Sequence, residues 1–467
     1  MKNLTTCLLI SSFMALAANA EVPTSITSLI GSGEFSKAEA LINKEKGLSV
    51  YQKDSLLSIM SRIRSDFRIP YEEGVRQIQQ KFSNASDYNI QQWESKKYIE
   101  TMTIDGQKYL FRKAVSNLDR LVPELSFERR YEGIVGDQKY AKYAEDVIKT
   151  HNPETHLGDT YRAKVKFTID VKPDAVPKGE TVRVWMPFPY ENGRQSNIKL
   201  ESSSHKVTYS KNSLHNSIYM EQKSGGKEPL HFEAVFSYDV QPMYYSADFI
   251  LTHLKEYNKS SELYKKYTST ELPQVILTDE MKTLAQRIVG NETNPYRQAS
   301  LIYDWIDTYF PWAGAREYST IPNMADYVLE NGHGDCGQVS LLYITLVRSL
   351  GIPARWESGW MLHPSNVGMH DWAETYYEGI GWVPVDMSFG GLEVSPDSNV
   401  RNFYKSGIDM YRLAVNKGVG GEFSPKKNWV RSETVDFQLG EVEWKGGNLF
   451  YYKEWEPKLE LISFEKK

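Results

Sequence analysis

The sequence predicts an α+β protein of several domains: a mostly helical N-terminal domain, a β-sandwich, and an α+β core with C-terminal strands. The length of 467 residues exceeds what a single hydrophobic core organises. Apolar residues recur at three- and four-residue spacing in the first third of the chain, and at every second residue from about position 157. With 40% hydrophobic and 25% charged residues, the composition is typical of a folded globular protein.

The start of the chain, residues 1–20, has the pattern of a signal peptide. Lys2 supplies a positive charge, LTTCLLISSFMALAA is a short apolar stretch, and Ala18-Asn19-Ala20 is a small-residue cleavage site before Glu21. We therefore expect an exported protein, either periplasmic or extracellular. No cysteine follows the cleavage site directly, and no later stretch approaches the length of an apolar span. We expect no stable membrane anchor.

Residues 21–150 are expected to form a mostly helical accessory domain. TSITSLIGSGEFSKAEALINKE and YQKDSLLSIMSRIRSDF carry the helical spacing of apolar residues. A hairpin interrupts them, since YIETMTIDGQKYLFR alternates around Asp105-Gly106, a two-residue turn signal. Residues 157–248 alternate with period two in short segments bounded by Pro, Gly and Asn, which predicts a β-sandwich. We interpret both regions as supporting domains without chemistry of their own.

Residues 255–395 return to helical spacing and then to strands, which predicts an α+β core. TDEMKTLAQRIVG and NPYRQASLIYDWIDTYF are helical segments. Residues 396–467 are expected to complete this core and to add strands. GIDMYRLAVNKG should finish the core, and ETVDFQLGEVEW and NLFYYKEWEPKLELISF are strand-like.

The charge distribution excludes some classes of partner. The net charge is -5 and the isoelectric point is near 6.1, so the chain lacks the basic footprint of a nucleic-acid-binding protein. No His, Cys, Asp or Glu residues follow metal-ligand spacing, and no cofactor motif is present. We expect neither a metal nor a cofactor. The oligomeric state is left open.

Cys336 is the only cysteine after the leader, so no intrachain disulfide is expected in the mature chain. GDCGQVSLLYITLVRSLGIPARW predicts a helix that begins at Cys336 and ends before Gly351 and Pro353. A thiol in the first turn of a helix faces backbone N–H groups and the positive end of the helix dipole, which stabilise the thiolate. The alternatives are an inert buried cysteine and a redox-sensing thiol, although no second cysteine could resolve an oxidised form.

The next segment, GMHDWAETYYEGIGWVPVDMSFG, predicts a β-hairpin. His370, Trp372 and Glu374 share one face of its first strand. A three-residue loop closed by Tyr377 and Gly381 would set Asp386 opposite Trp372, diagonal to His370 and on the same face. A four-residue loop would move Asp386 to the other face, because a slip of one residue turns every side chain over.

If the first register holds, the chemistry of a nucleophilic triad follows. Cys336 attacks as the nucleophile, and His370 takes its proton and later returns one to the leaving amine. Asp386 orients the imidazole and supports its charged form. The backbone N–H of Cys336 can donate to the oxyanion that develops.

These three blocks resemble the transglutaminase-like superfamily, the papain-like group of cysteine proteases, transglutaminases and peptide N-glycanases. The matching features are Gly-Asp-Cys-Gly at 334–337 with the LVRSLGIPAR that follows, His370-x-Trp372-x-Glu374, and Gly381-Trp382-x-x-x-Asp386. The resemblance covers about residues 290–390. It implies the papain-like α+β fold, with a preceding β-domain as in exported bacterial members.

The resemblance also implies roles for individual residues. Cys336, His370 and Asp386 are the expected triad. Trp312 is a candidate for the upstream tryptophan that stabilises the oxyanion, and simple packing is the alternative role for it. Tyr309 is a second cleft candidate, and Tyr318 and Trp305 are lesser candidates. Trp372, Glu374, Asp335 and Gly337 are expected to support the site, whereas His333 and His363 are interpreted as incidental loop residues. Animal transglutaminases carry Gln and Trp on either side of the cysteine; Asp335 and Gly337 stand there here, which favours hydrolysis over crosslinking.

The expected function is an exported cysteine-dependent amidohydrolase or peptidase that acts on a peptide or protein substrate through an acyl-thioester. Two alternatives remain open at this point. One is a protein-glutamine acyltransferase, in which an amine rather than water resolves the thioester. The other is a non-catalytic protein that retains the core and binds peptide or glycan.

Overall fold

The computed structural model describes residues 22–125, 127–211 and 213–467. The predicted signal peptide lies outside the described residues. Compactness divides the chain into two units: residues up to 133 with 308–339, and residues 134–307 with 340–467. The predicted fold class, α+β with several domains, is confirmed, since helices alternate with separate antiparallel sheets. The division into compact units does not follow the predicted domain limits, because residues 308–339 join the helical unit.

The first unit is mainly helical. Its helices within the first 133 residues are α1 (Thr24–Gly31), α2 (Phe35–Lys44), α3 (Val50–Asp66), α4 (Tyr71–Lys81), α5 (Asp87–Ser95) and α6 (Ala114–Leu121). Strands β1 (Ile69–Pro70), β2 (Thr101–Ile104) and β3 (Gln107–Leu110) form one small sheet in the order β1-β3-β2. Ile104 pairs with Gln107 across Asp105-Gly106, so the predicted hairpin is confirmed.

Local capping explains where the helices of this unit begin. The Ser49 side chain accepts from the backbone of Gln52, and the Gln52 side chain accepts in return from the backbone of Ser49. Ser86 and Asn89 repeat this arrangement at the start of α5. Each reciprocal pair satisfies N–H groups that a helix start leaves without partners, which fixes the first residue of the helix.

A long helix, α7 (Phe127–Thr150), leads to the second unit, where two antiparallel sheets form the sandwich. The strands are β4 (Tyr161–Val171), β5 (Thr181–Pro187), β6 (Gln195–Ser203), β7 (Thr208–Tyr209), β8 (Ser217–Lys223), β9 (Leu230–Val240), β16 (Glu441–Trp444), β17 (Gly447–Leu449) and β18 (Trp455–Lys466). One sheet has the order β17-β16-β5-β8-β7 and the other β18-β4-β9-β6. The last three strands of the chain therefore complete the sandwich.

The remaining elements include a four-stranded sheet in the second unit, whereas the helix at Met324–Asn331 belongs to the first unit. The helices are α8 (Ala247–His253), α9 (Glu262–Tyr267), α10 (Asp279–Val289), α11 (Pro295–Tyr309), α12 (Met324–Asn331), α13 (Cys336–Ser349) and α14 (Ser398–Arg401). The strands are β10 (Met243–Tyr244), β11 (Ala354–His363), β12 (Asn366–Tyr377), β13 (Gly381–Val385), β14 (Gly407–Ile408) and β15 (Arg412–Asn416), with the sheet order β13-β12-β11-β15 and a separate pair β10-β14.

The sandwich and the core sheet share one hydrophobic core. Trp360 and Leu362 of β11 and Leu413 and Val415 of β15 belong to the same buried cluster as the inner residues of β4, β5, β8 and β9. Because buried apolar area is the main source of folding free energy, the sandwich and this sheet stabilise each other. A substitution that destabilises the sandwich is therefore expected to destabilise the core sheet as well.

One predicted strand is shorter than expected. The sequence pattern predicts a strand in ETVDFQLGEVEW, but only Glu441–Trp444 forms one. The buried carboxylate of Glu433 accepts hydrogen bonds from the backbone N–H groups of Gln438, Leu439 and Gly440 at 2.8–3.2 Å. A carboxylate that satisfies three backbone donors locally replaces the partner strand that those donors would otherwise need.

In the part of the chain that the structure describes, no helix is both long enough and apolar enough to cross a bilayer.

Candidate active site

Cys336 is the first residue of α13, as the sequence predicts. Its side chain is half-buried. Asp335 caps the helix: its Oδ1 accepts from the backbone N–H of Gln338 at 3.2 Å, and its own N–H donates to Gln338 Oε1 at 3.0 Å. This reciprocal cap holds the first turn, so the thiol stays at the positive end of the helix dipole, where a thiolate is favoured.

Asp335 is held in place further by a half-buried tyrosine. The hydroxyl of Tyr318 donates to Asp335 Oδ1 at 2.6 Å. Burial raises the pKa of Asp335 above its ordinary value, against the opposing effects of Tyr318, the backbone near Gln338 and the Lys113 ammonium. The predicted supporting role of Asp335 thus corresponds to a helix cap with its own hydrogen-bond partners. Tyr318, a lesser cleft candidate, is one of those partners.

The hairpin that carries His370 has the register that the triad requires. Tyr377 pairs with Gly381 and Ala373 with Val385, so the loop contains three residues and Asp386 follows β13 beside Trp372. The predicted register is therefore confirmed. His370 and Asp386 lie on the same face and meet: His370 Nε2–H donates to Asp386 Oδ2 at 2.8 Å.

Both members of this pair are buried. The side chain of His370 is 5% exposed and that of Asp386 is 0% exposed. Burial by itself would raise the pKa of Asp386, but the charges and hydrogen bonds of His370 and Arg412 outweigh it and hold that pKa below its ordinary value. Asp386 is therefore ionised at neutral pH. Because the carboxylate occupies Nε2, Nδ1 is the nitrogen of His370 left for proton exchange with another group.

Trp372 supports His370 from the same strand. Its ring stacks beside the imidazole, with 5.9 Å between centroids and 29° between planes. Its indole N–H donates to Glu357 Oε2 at 2.6 Å. Glu357 also accepts from Tyr190 and Arg194, which belong to the connection between β5 and β6. The sandwich thus anchors the residue that packs against His370.

Glu374 lies one step further along β12 and faces a different partner. Its carboxylate accepts from Arg355 Nε at 2.5 Å, across the strand pair β11–β12. Burial raises the pKa of Glu374, and the Arg355 charge opposes this rise. Glu374 contributes to the sheet that carries His370. Among the described residues, no group of three or more His, Cys, Asp or Glu side chains has the arrangement of a metal site.

The two aromatic cleft candidates belong to the segment that precedes the cysteine. The backbone of Trp312 bridges to Gly334, two residues before Cys336, and its ring lies 4.1 Å from the Arg120 guanidinium. The ring is 39% exposed, and Tyr309 is 62% exposed. Trp312 therefore lies beside the cysteine segment in the chain's first compact unit.

The two flanking histidines are not exposed loop residues. His333 is buried and its Nε2 lies 3.2 Å from the backbone oxygen of Lys97. His363 is the last residue of β11, is 1% exposed, and lies 3.3 Å from Asp409. His333 lies in the loop before α13, as predicted, whereas the predicted loop position of His363 is wrong because that residue ends a strand. A histidine that ends a predicted strand can be buried by the residues packed over the strand end, which periodicity does not reveal.

Arg412 and Asp409 are the charged residues near His370 that sequence reasoning missed. Arg412 NH2 donates to Asp386 Oδ2 at 2.9 Å, and Arg412 NH1 donates to Asp409 Oδ1 at 2.9 Å. All three side chains are 0% exposed. The available signal was the motif GIDMYRL, which places an opposite charge pair three residues apart inside an apolar run.

Comparison with known proteins finds a family match for the segment that contains all three triad candidates. Residues 282–387 match the family model of the transglutaminase-like superfamily. An uncharacterised Haemophilus influenzae protein is 26% identical over 280 residues, which cover 52% of this chain and 72% of that protein. The uncharacterised Bacillus subtilis protein YebA is 28% identical over 133 residues, 24% of this chain and 18% of that protein.

Solved structures resemble the chain at low sequence identity. A proposed cysteine protease from Cytophaga hutchinsonii matches with a TM-score of 0.45 and 14% identity, covering 66% of this chain and 92% of that one. The periplasmic domain of TgpA from Pseudomonas aeruginosa matches with a TM-score of 0.26 and 14% identity, covering 51% of this chain and 91% of that domain.

Proposed function

We propose that this chain is a cysteine-dependent amidohydrolase that cleaves peptide bonds, with the match of residues 282–387 to the transglutaminase-like superfamily as support. The observation that carries the proposal is the buried pair of His370 Nε2 and Asp386 Oδ2, 2.8 Å apart. This pair orients an imidazole and leaves its Nδ1 for a proton donor. Cys336, half-buried at the start of α13, is the nucleophile in this proposal.

The proposed reaction has two steps. The Cys336 thiolate attacks the amide carbonyl carbon, the backbone N–H of Cys336 donates to the oxyanion, and the imidazolium of His370 protonates the leaving nitrogen as the C–N bond breaks. Water then attacks the thioester while His370 takes its proton. The C–S bond breaks, the acid product leaves, and the thiolate with its imidazolium is restored. Asp386 stays ionised throughout and supports the imidazolium.

Export is part of the proposal and depends on the leader pattern at residues 1–20. The mature protein then begins at Glu21 and acts on peptides or proteins outside the cytoplasm. Mass spectrometry of the N-terminus after cell fractionation tests this: a mature start at Glu21 in an exported fraction supports it. An uncleaved chain in the cytoplasmic fraction contradicts it.

The pH dependence of iodoacetamide alkylation tests the proposed catalytic pair. Cys336 in the purified chain is expected to react well below pH 8, and at pH 6 about ten times faster than in His370→Ala, because the imidazolium stabilises the thiolate. Cys336→Ala controls for labelling elsewhere, and His205→Ala removes a histidine of the sandwich as a matched control. Equal alkylation rates in wild type and His370→Ala contradict the proposal.

A peptide library then distinguishes hydrolysis from acyl transfer. We expect cleaved peptides with free carboxylates, and no such products from Cys336→Ala. With an added primary amine, the same library reveals transfer if amide products replace the acids. Dominant amide products at millimolar amine would overturn hydrolysis in favour of acyltransferase activity.

A further inference from the structure

We infer that Arg412 and its counter-ion Asp409 are positioning residues that set the proton affinity of His370 through Asp386. This inference rests on the proposed function, since it concerns the imidazole that the reaction uses. Arg412 shares the acceptor Asp386 Oδ2 with His370, at 2.9 Å against 2.8 Å. In this proposal, neither Arg412 nor Asp409 contacts the thiol of Cys336. Both act through the carboxylate of Asp386.

The strand β15 brings Arg412 to this point. Met361 of β11 pairs with Arg412, two residues along β11 from Gly359, which pairs with His370. The guanidinium is held on two sides, because NH1 donates to Asp409 Oδ1 and NH2 to Asp386 Oδ2, both at 2.9 Å. A planar guanidinium with two fixed acceptors has one orientation. Asp386 is thereby fixed in the position in which it faces His370.

Asp409 is itself fixed by several donors. Its Oδ2 accepts from the Tyr404 hydroxyl at 2.9 Å, and its Oδ1 accepts from the backbone N–H of Tyr411 at 2.8 Å. His363 Nε2 lies 3.3 Å from the same carboxylate. The Arg412 charge and these hydrogen bonds hold the pKa of Asp409 far below its ordinary value in spite of its burial. Asp409 is therefore a permanent negative charge.

The charges around His370 are unequal in number. Asp386 and Asp409 carry two negative charges and Arg412 carries one positive charge, so one further positive charge makes the group neutral. Burial is costly for uncompensated charge, so a change of charge at Arg412 or Asp409 alters the free energy of a positive charge on His370. His363 is the competing site, but burial lowers its pKa, so it stays neutral at pH 7. The imidazolium is the form that a thiolate–imidazolium pair needs.

In the described part of the chain, the titratable side chains that face the cluster of Asp386, Asp409 and Arg412 are mainly tyrosines, with one exception. Burial raises the pKa of each of these tyrosine hydroxyls, which belong to Tyr140 and Tyr143 of α7, Tyr303 of α11, Tyr404 and Tyr411. Glu357 and Arg194 lie beyond Trp372 and neutralise each other at 3.1 Å. The exception is Asp137 of α7, whose pKa burial raises to about 6 and which interacts with Tyr140. Asp137→Asn is therefore a required control.

The test is the protonation midpoint of His370, measured by NMR on the purified full chain with isotope-labelled histidine. His370→Gln assigns the signal by its loss. Without a proton on His370, the cluster has one uncompensated negative charge, which we call the charge deficit. Asp409→Asn removes this deficit, so the His370 midpoint is expected to fall by about one pH unit. Arg412→Met adds a second uncompensated negative charge, so the His370 midpoint is expected to rise by about one pH unit. In the double variant Arg412→Met/Asp409→Asn the deficit is restored and the midpoint should return to within about 0.3 pH units of wild type.

The opposite shifts separate this role from a merely structural one, which would reduce stability without moving the midpoint in two directions. Asp137→Asn is expected to leave the protonation midpoint of His370 unchanged. If Arg412→Met does not fold, Asp409→Asn and the double variant decide. A folded Asp409→Asn chain with an unshifted midpoint overturns the inference. The NMR measurement does not depend on turnover. Failure of the proposed function would be seen in a different experiment, as alkylation of Cys336 at a rate that does not depend on His370.

Discussion

Glu357→Gln is expected to destabilise the second unit by about 3 kcal/mol at pH 7. Oε1 of Glu357 accepts from Tyr190 at 2.5 Å and Asn192 at 3.0 Å, and Oε2 accepts from Arg194 at 3.1 Å and Trp372 at 2.6 Å. A glutamine keeps one oxygen, so two of the four donors meet an amide NH₂ instead. Each buried donor left without an acceptor costs about 1–3 kcal/mol, and local relaxation recovers part of it.

The loss should depend on pH. Burial raises the pKa of Glu357, but Arg194 and the Tyr190 hydroxyl outweigh it, so the pKa of the folded carboxyl lies below the ordinary 4.5. A carboxyl with a depressed folded pKa stabilises fully above its unfolded pKa, and this contribution is lost as the pH falls through the folded value. The difference between wild type and Glu357→Gln should therefore shrink below about pH 4.5.

Urea unfolding at pH 7 and at about pH 3.5 measures both effects, with the free energy of unfolding as the readout. Glu465→Gln, an exposed change on β18, is the matched control and should cost less than about 0.5 kcal/mol. A loss below about 1 kcal/mol at pH 7 refutes the reasoning, because four hydrogen bonds to a buried carboxylate would then carry little energy. A difference that stays constant with pH refutes the charge assignment.

Three further outcomes are expected. Asp386→Asn should lower turnover on the order of 10³-fold while the chain still folds, and equal loss of folded protein by circular dichroism would make Asp386 structural. Gly359→Ala should prevent the pairing of β11 with β15, because a Cβ there lies 1.9 Å from the backbone oxygen of Leu413; a normal melting temperature would contradict it. Burial keeps the pKa of His215 well below 6.5, so stability should fall as the pH drops below that value, and His215→Gln should remove this slope in urea titrations.

The elements that the sequence predicts well depend on local signals. The helix that begins at Cys336 has a cap, an apolar stripe and a glycine stop within one continuous stretch. The hairpin after His370 follows from alternation and from the turn residues before Gly381. In both cases the interactions that fix the structure lie within a few residues of each other, so their pattern is visible in the linear chain.

The parts that could not be predicted depend on distant partners. Periodicity identifies β18 as a strand, but it does not indicate that β18 pairs with β4 in the sandwich. The interaction of Arg412 with Asp386 joins residues on different strands, and either charge read alone suggests a solvated surface residue. The grouping of residues 308–339 with the helical unit likewise depends on contacts such as Asn117 with Gly314, which no local signal announces.

The position of β18 has a consequence for the order in which the protein can acquire its structure. The strand pairs with β4 along its whole length, and the backbone N–H of Lys467 donates to Thr160 at 2.9 Å. The ribosome therefore completes the beginning of the sandwich long before it makes the strand that covers its edge. Until then β4 presents an open row of backbone groups, which invites pairing with other chains. Chaperones that bind extended segments are expected to act on this protein during that interval.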